Sequence, residues 1–257
     1  MAISKGAINV RNISIGGEEP CICAPVVGVD AEQVLAETRQ ISAKKPHLIE
    51  WRADFFNGIH DDRQVVATAK QMRTIAGEIP ILFTVRSERE GGRPIPLTEE
   101  EKIRLFETVC QSGAIDLLDY ELVHEPYVAT VRQLSRQYGV RLILSYHNFD
   151  FTPAKEELVA KMRQAGKYGA DIAKVAVMPK SLQDVLVLLQ ATEEARQELP
   201  IPLITMSMGG LGAITRLAGG LFGSAVTFAV GQQSSAPGQI PIEEVKDVLS
   251  VIMKYSQ

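Results

Sequence analysis

At 257 residues, 46% hydrophobic and 23% charged, the chain has the composition of an ordinary globular protein, long enough for one large domain or two small ones. Its formal net charge of -4 and the absence of any basic stripe argue against a nucleic-acid partner. No apolar run approaches the ~20 residues that cross a bilayer, and MAISKGAINVRN lacks the apolar segment of a secretory signal, so a cytoplasmic protein with no membrane partner is expected.

In chain order the first pattern is GAINVRNISIGG, which alternates apolar and polar residues around Arg11 and Asn12. It predicts a β-hairpin within residues 1–18 that closes the bottom of a barrel. Eight short runs rich in aliphatic and β-branched residues follow: CICAPVV (21–27), HLIEWR (47–52), ILFTVR (81–86), IDLLDYEL (115–122), VRLILSYH (140–147), IAKVAV (172–177), PLITMS (202–207) and AVTFAV (225–230). Each reads as a buried strand. Between them, stretches such as AEQVLAETRQISAKK, DRQVVATAKQMRTIAG, TEEEKIRLFETVCQSG and PAKEELVAKMRQAGKYG repeat apolar residues at helical spacing. Thr98 before a run of acids suits a helix start, Pro153 a first turn, and Gly77, Gly113 and Gly139 suit helix ends.

Strand and helix alternating in this way require parallel pairing with crossover connections. Eight units in this length predict one α/β domain over residues 1–257, a (β/α)₈ TIM barrel. The competing open, doubly wound sheet lacks its mark, because VVGVDAEQ after the first strand has no glycine-rich dinucleotide turn. Cys21, Cys23 and Cys110 fall on apolar patterns and read as buried thiols. No Cys-x-x-Cys or His-Glu-x-x-His spacing is present, so no metal site is predicted.

Barrel chemistry gathers at the C-terminal ends of the strands, where residues two apart share a face. Glu50 and Arg52, Thr84 and Arg86, Asp119 and Glu121, Ser145 and His147, then Lys174, are brought to one mouth in this way. Met206 and Met208 share a face of the seventh strand, and Arg216 follows at the start of the next helix. Each group has a structural reading: Glu50 with Arg52, or Glu121 with Lys174, as ion pairs, His147 as a bonded rim residue, and the methionines as packing. Convergence of five successive strands on one end favours a site.

Lys174 is the sharpest signal, since an unpaired ammonium in the apolar run IAKVAV would lose several kcal/mol of hydration. Burial favours the neutral amine, a nucleophile that attacks a carbonyl to form an imine. His147 is suited to move the proton that the imine acidifies, and loss of a neighbouring hydroxyl then gives dehydration. Arg52, Arg86 and Arg216 point to an anionic substrate, and a carboxylate fits better than a phosphate because the loop GQQSSAPGQ (231–239) has no cationic side chain. That loop has the glycines of a lid, and EREGGRP can close from the opposite side.

Over essentially its whole length the chain resembles type I 3-dehydroquinate dehydratase, through EWRAD (50–54), FTVRSEREGG (83–92), SYHNF (145–149), IAKVAVMP (172–179), TMSMGGLGAITRLAGGLFGSA (205–225) and SAPGQI (235–240). The resemblance implies a shikimate-pathway lyase that converts 3-dehydroquinate to 3-dehydroshikimate by syn elimination. It implies a (β/α)₈ barrel without metal or organic cofactor, commonly a homodimer. Carried over residue by residue, Lys174 forms the imine, His147 donates and accepts protons, and Glu90 orients the imidazole. Glu50, Arg52, Arg86 and Arg216 match substrate contacts, Arg216 on the carboxylate; Ser235 and Gln239 match the lid, and Met206 and Met208 pack around the ring. Two positions depart from the pattern: Asn148 where some members have aspartate, and Pro25 where some have serine. A class I aldolase or transaldolase would use the same imine but needs a phosphate site near the eighth strand. A non-catalytic scaffold leaves Lys174 without a purpose.

Overall fold

The structure, a computed structural model, describes residues 6–256. Two three-residue strands, β1 (Ile8–Val10) and β2 (Ile13–Ile15), form the antiparallel hairpin, turned at Arg11 with φ 50°. The first five residues of the stretch read as a hairpin lie outside the described residues. The eight predicted strands follow as β3 (Cys21–Val26), β4 (Leu48–Arg52), β5 (Ile81–Thr84), β6 (Leu117–Glu121), β7 (Arg141–Asn148), β8 (Ile172–Val177), β9 (Leu203–Ser207) and β10 (Val226–Phe228). They form one parallel sheet in the order β10-β3-β4-β5-β6-β7-β8-β9. A parallel bridge between Leu203 and Ser224, with Ala225 N–H donating to Leu203 O at 2.7 Å, brings β9 round to the start of β10 and closes the barrel.

Helices α1 (Ala31–Ala43), α2 (Asp62–Ala76), α3 (Glu99–Gln111), α4 (Glu125–Gln137), α5 (Lys155–Lys167), α6 (Leu182–Glu198), α7 (Ala213–Phe222) and α8 (Ile242–Tyr255) follow the strands in turn. Their ends obey local chemistry. Thr98 forms a capping box with Glu101, as its sequence context predicts, and Asp30, Asp61 and Ser181 cap three other helices. Pro153 is a correction: it precedes Ala154, the N-cap of α5, and stands outside the first turn. Among the described residues no helix is long and apolar enough to cross a membrane.

Strand alternation divides the core in two. Outward residues such as Ile49, Trp51, Phe83, Tyr120, Leu144 and Val175 pack beneath the helices. Trp51, Phe83, Phe106 and Tyr120 meet in successive edge-to-face contacts there, with centroids 5.3–6.1 Å apart. Inward residues Leu48, Leu82, Leu117, Ile143, Ile172 and Ile204 make an apolar floor at the N-terminal end, and Val10 and Ile15 of the hairpin join it. The hairpin thus plugs the bottom, tied by Arg11 Nε to Asp116 Oδ1 at 2.5 Å. With the floor sealed, the charged inward residues one layer higher face only the C-terminal mouth.

Candidate active site

A cavity of about 40 Å³ opens at that mouth, bounded by Lys174, Glu50, Phe228 and Ala176 below and by Ser235, Ala236 and Gln239 above. Every site residue expected from the sequence lines it except Arg216. Lys174 projects inward from the middle of β8, in register with Ser145 of β7 and Ile204 of β9. Its Nζ lies 3.1 Å from Asp119 Oδ2, 3.7 Å from Glu50 Oε1 and 4.5 Å from the Phe228 ring centroid. This corrects the expectation that the nitrogen is unpaired. The fold meets the cost of burying the nitrogen with two carboxylates from strands β4 and β6. Asp119 was placed on the right face by strand alternation, but its partner depends on barrel register, which sequence does not display.

His147 stands near the end of β7 with Nδ1 2.8 Å from Glu90 Oε2. Burial holds the imidazole well below its ordinary pKa, and the Arg86 and Lys174 cations push the same way. Burial raises the Glu90 carboxyl to about 8, and the Arg86 guanidinium at 3.5 Å only partly opposes this. The pair therefore presents a neutral imidazole, its Nδ1 committed to Glu90 and its Nε2 available to a ligand. Glu90 reaches His147 because residues Glu88–Glu90 form a 3-10 turn capped by the Ser87 hydroxyl and ended by Gly91 at φ 83°. A Cβ at Gly91 would strike the Phe149 ring at 2.2 Å, so any larger residue here would have to displace that ring and hold a left-handed backbone.

Arg86 is the hub beneath this pair. Its Nη1 donates to Glu121 Oε1 at 3.1 Å and Ser145 Oγ at 2.9 Å, and its Nη2 to Asp119 Oδ1 at 2.7 Å. The structural pairs considered from sequence are not those formed. Glu50 accepts from Thr84 Oγ1 at 3.0 Å and faces Lys174, not Arg52. Arg52 is held bidentately by Asp54, with Nε and Nη2 at 2.9 and 2.8 Å, while Glu121 serves Arg86, not Lys174. Asp54, the last letter of EWRAD, had no assigned part in the sequence reading. It also accepts the backbone N–H of Arg86 at 3.2 Å and of Arg93 at 3.3 Å, tying Arg52 to the Glu90 loop.

Arg216 lies behind the wall formed by Met206, 2% exposed, in the first turn of α7. Its Nη1 donates to Phe228 O at 3.2 Å and its Nη2 to Pro237 O at 3.0 Å, while Nε has no partner. Burial without a carboxylate lowers this guanidinium to about 10, which makes it a strong receptor for an anion. The lid rests on the same two arginines: Arg52 Nη1 donates to Ser235 O at 3.3 Å and Arg216 to Pro237 O. Gln239 braces the loop from within, accepting Ser235 N–H at 3.0 Å and donating to Ser235 Oγ at 3.2 Å.

Neither departure noted in the sequence enters the cavity. Asn148 Oδ1 accepts the N–H groups of Asp150 and Phe151, both at 2.9 Å, a task an aspartate oxygen performs equally well. Pro25 pairs with Glu50 on the β4 side, and the β10 ladder ends earlier, at Cys23 with Phe228, so its missing N–H interrupts no ladder position there.

The family model described as Type I 3-dehydroquinase matches residues 22–256. The chain is 98% identical to the 3-dehydroquinate dehydratase of Geobacillus thermodenitrificans over the full length of both. It superposes with TM-score 0.99 on the crystal structure of 3-dehydroquinate dehydratase from Geobacillus kaustophilus, at 67% identity and full coverage of both chains. A type I 3-dehydroquinate dehydratase from Clostridium difficile, crystallised with covalently modified comenic acid, superposes with TM-score 0.93 at 38% identity, covering 96% of this chain and 98% of that one. With sequence and fold in agreement, this chain belongs to the type I 3-dehydroquinase family.

Proposed function

We infer that the chain is a hydro-lyase that removes water from 3-dehydroquinate through an imine on Lys174, giving 3-dehydroshikimate. The observation that carries this reading is a buried lysine sharing one small cavity with a neutral imidazole and a carboxyl partner. His147 takes a proton from the Lys174 ammonium, the freed amine adds to the substrate ketone, and the imidazolium returns its proton to the carbinolamine oxygen, which leaves as water to give the iminium. The iminium acidifies the adjacent C–H, and neutral His147 removes that proton. The enamine expels the hydroxyl on the next carbon, protonated by the same imidazolium. One imidazole doing both jobs reaches only one face of the ring, which gives syn loss of water. Hydrolysis of the product imine restores Lys174.

The remaining residues hold the substrate. Arg216, short of a counter-ion, takes its carboxylate once the lid carbonyl of Pro237 gives way. Arg52 and Glu50 bind its hydroxyls, Arg86 fixes the charged floor, Met206 and Met208 pack on the ring, and Ser235 and Gln239 seal it in. Glu90 orients His147. The whole chain acts as one catalytic domain in the cytoplasm, in keeping with three free, buried cysteines. It works as a homodimer joined through Leu182 and Leu186 of α6, Ile214 of the neighbouring α7 and Leu211 in the turn before it, large apolar side chains that are 45–66% exposed.

The test is turnover of 3-dehydroquinate followed by the ultraviolet absorbance of the conjugated ketone formed. Wild type produces that absorbance and Lys174→Ala does not. Its absence in folded wild type overturns the reading, and release of a shorter carbonyl fragment would indicate an aldolase instead.

A further inference from the structure

The carboxylate of Asp119 divides its two oxygens between different tasks. Oδ1 accepts Arg86 Nη2 at 2.7 Å and Ser145 Oγ at 2.6 Å. Oδ2 faces Lys174 Nζ at 3.1 Å. Two donors on one oxygen fix the direction of the other, and the side chain has no exposure to solvent. Asp119 does not line the cavity, so a ligand reaches Lys174 without touching the group behind it.

Charge conservation gives this placement its meaning. An ammonium and a ketone combine to an iminium and one water, so the nitrogen carries one positive charge before and after. A carboxylate set for the ammonium is therefore already set for the iminium, with no reorganisation during the reaction. We propose that Asp119 is the fixed counter-ion of the iminium, keeping the imine protonated through the elimination.

This rests on the Schiff-base reading above and deepens it. Arg86 and a protonated His147 repel a cation at this nitrogen, so without Asp119 the imine would shed its proton and cease to withdraw electrons. The other carboxylates are less able to serve. Glu50, at 3.7 Å, lines the cavity and is open to substrate; Glu121 is engaged by Arg86 and the Ser87 N–H; Glu90 is turned to His147. Cys23, from β3, is kept a neutral thiol by burial. Asp119 by contrast stays ionised: burial opposes it, but the Arg86 and Lys174 cations hold its carboxyl well below the usual range.

An opposite charge at this range shifts a pKa by about 1–3 units, so removing it draws the alkaline limb of kcat toward acid by that amount. The experiment compares kcat at about pH 6 and pH 9 for wild type and Asp119→Asn, and measures at pH 6 the adduct with 3-dehydroquinate that borohydride makes permanent. Asp119→Asn is expected to keep a trappable adduct at the lower pH and to lose at least ~10-fold more kcat than wild type on going to the higher one. A uniform fall, with the two profiles parallel, would overturn the proposal. If Asp119→Asn fails to fold, Ser145→Ala removes one anchor of Oδ1: a smaller shift in the same direction supports the proposal, and an unchanged profile overturns it. Wild type that yields no adduct at all overturns the Schiff-base reading itself, a distinct result.

Discussion

His147 and Lys174 divide the chemistry between them, and the division can be measured. Because Nδ1 is committed to Glu90, only Nε2 serves the substrate, and no second imidazole lines the cavity. His147→Ala is expected to form the borohydride-stable adduct slowly but still detectably, and to turn over at least ~10²-fold more slowly than wild type, as loss of a general acid and base requires. Steady-state rates beside the intact mass check this, and near-normal turnover would remove the histidine from the mechanism. At this scale the strand pattern made much legible. Period-two alternation alone put Glu50, Asp119, Ser145, His147 and Lys174 on one face, and they meet in the barrel. What it could not show was partnership. Glu50 finds Lys174 across the barrel interior and Arg52 finds Asp54 in a 3-10 turn, contacts set by register and loop shape rather than by spacing along a strand.

Among the elements, the β10–α8 loop and the β5–α3 turn carry more of the site than the strands that lead into them. The lid forms the upper wall of the cavity through Ser235, Ala236 and Gln239, so entry and enclosure of a six-membered ring depend on how this loop opens and closes. Gly238 allows the closed form: its φ is 75°, and a Cβ there would lie 2.3 Å from Gly209 O. Gly238→Ala therefore disfavours closure by about 1–2 kcal/mol of left-handed strain, with steric overlap in addition, and lowers kcat/KM by roughly 5–30-fold or more. The folding midpoint should hardly move, since the loop contributes little to the core; a large drop in thermal stability with unchanged kcat/KM would contradict this. The sequence showed the loop's glycines and lack of cations. It did not show that the two arginines expected on the substrate, Arg52 and Arg216, hold lid carbonyls, because backbone acceptors leave no mark in residue identity. Strands were readable because their residues are buried on both faces, the two ends of β7 apart, and their starts and ends agree to within two residues at every edge. Pro153 stands before the N-cap of α5 because proline serves as well there as in the first turn.

For the molecule as a whole, the charged mouth makes stability depend on pH in both directions. Burial opposes ionisation of Glu121, but the His124 contact, Arg86 and the Ser87 N–H together lower it to about 2, and Asp119 is held lower than its ordinary value as well. Such carboxylates stabilise the fold above their unfolded pKa of ~4, and that contribution is lost as pH falls through the folded values. His147, kept neutral when folded, adds a loss that begins below about 6.5, where the unfolded imidazole takes up a proton. Glu90 works in the opposite sense. Its folded value of about 8 stands above its ordinary 4.5, so its contribution is full at low pH and is lost as pH rises through 8. Thermal melts of wild type should therefore decline on the alkaline side, and Glu90→Gln should flatten the slope between about pH 5 and 9; an equal slope in both would contradict the assignment. The most direct test of the central claim remains the lysine. Incubation with 3-dehydroquinate, reduction with borohydride and peptide mass mapping should place a stable adduct on Lys174 in wild type and nowhere in Lys174→Ala. An unmodified Lys174 in a protein that still turns over substrate, or an adduct on another residue, would contradict it.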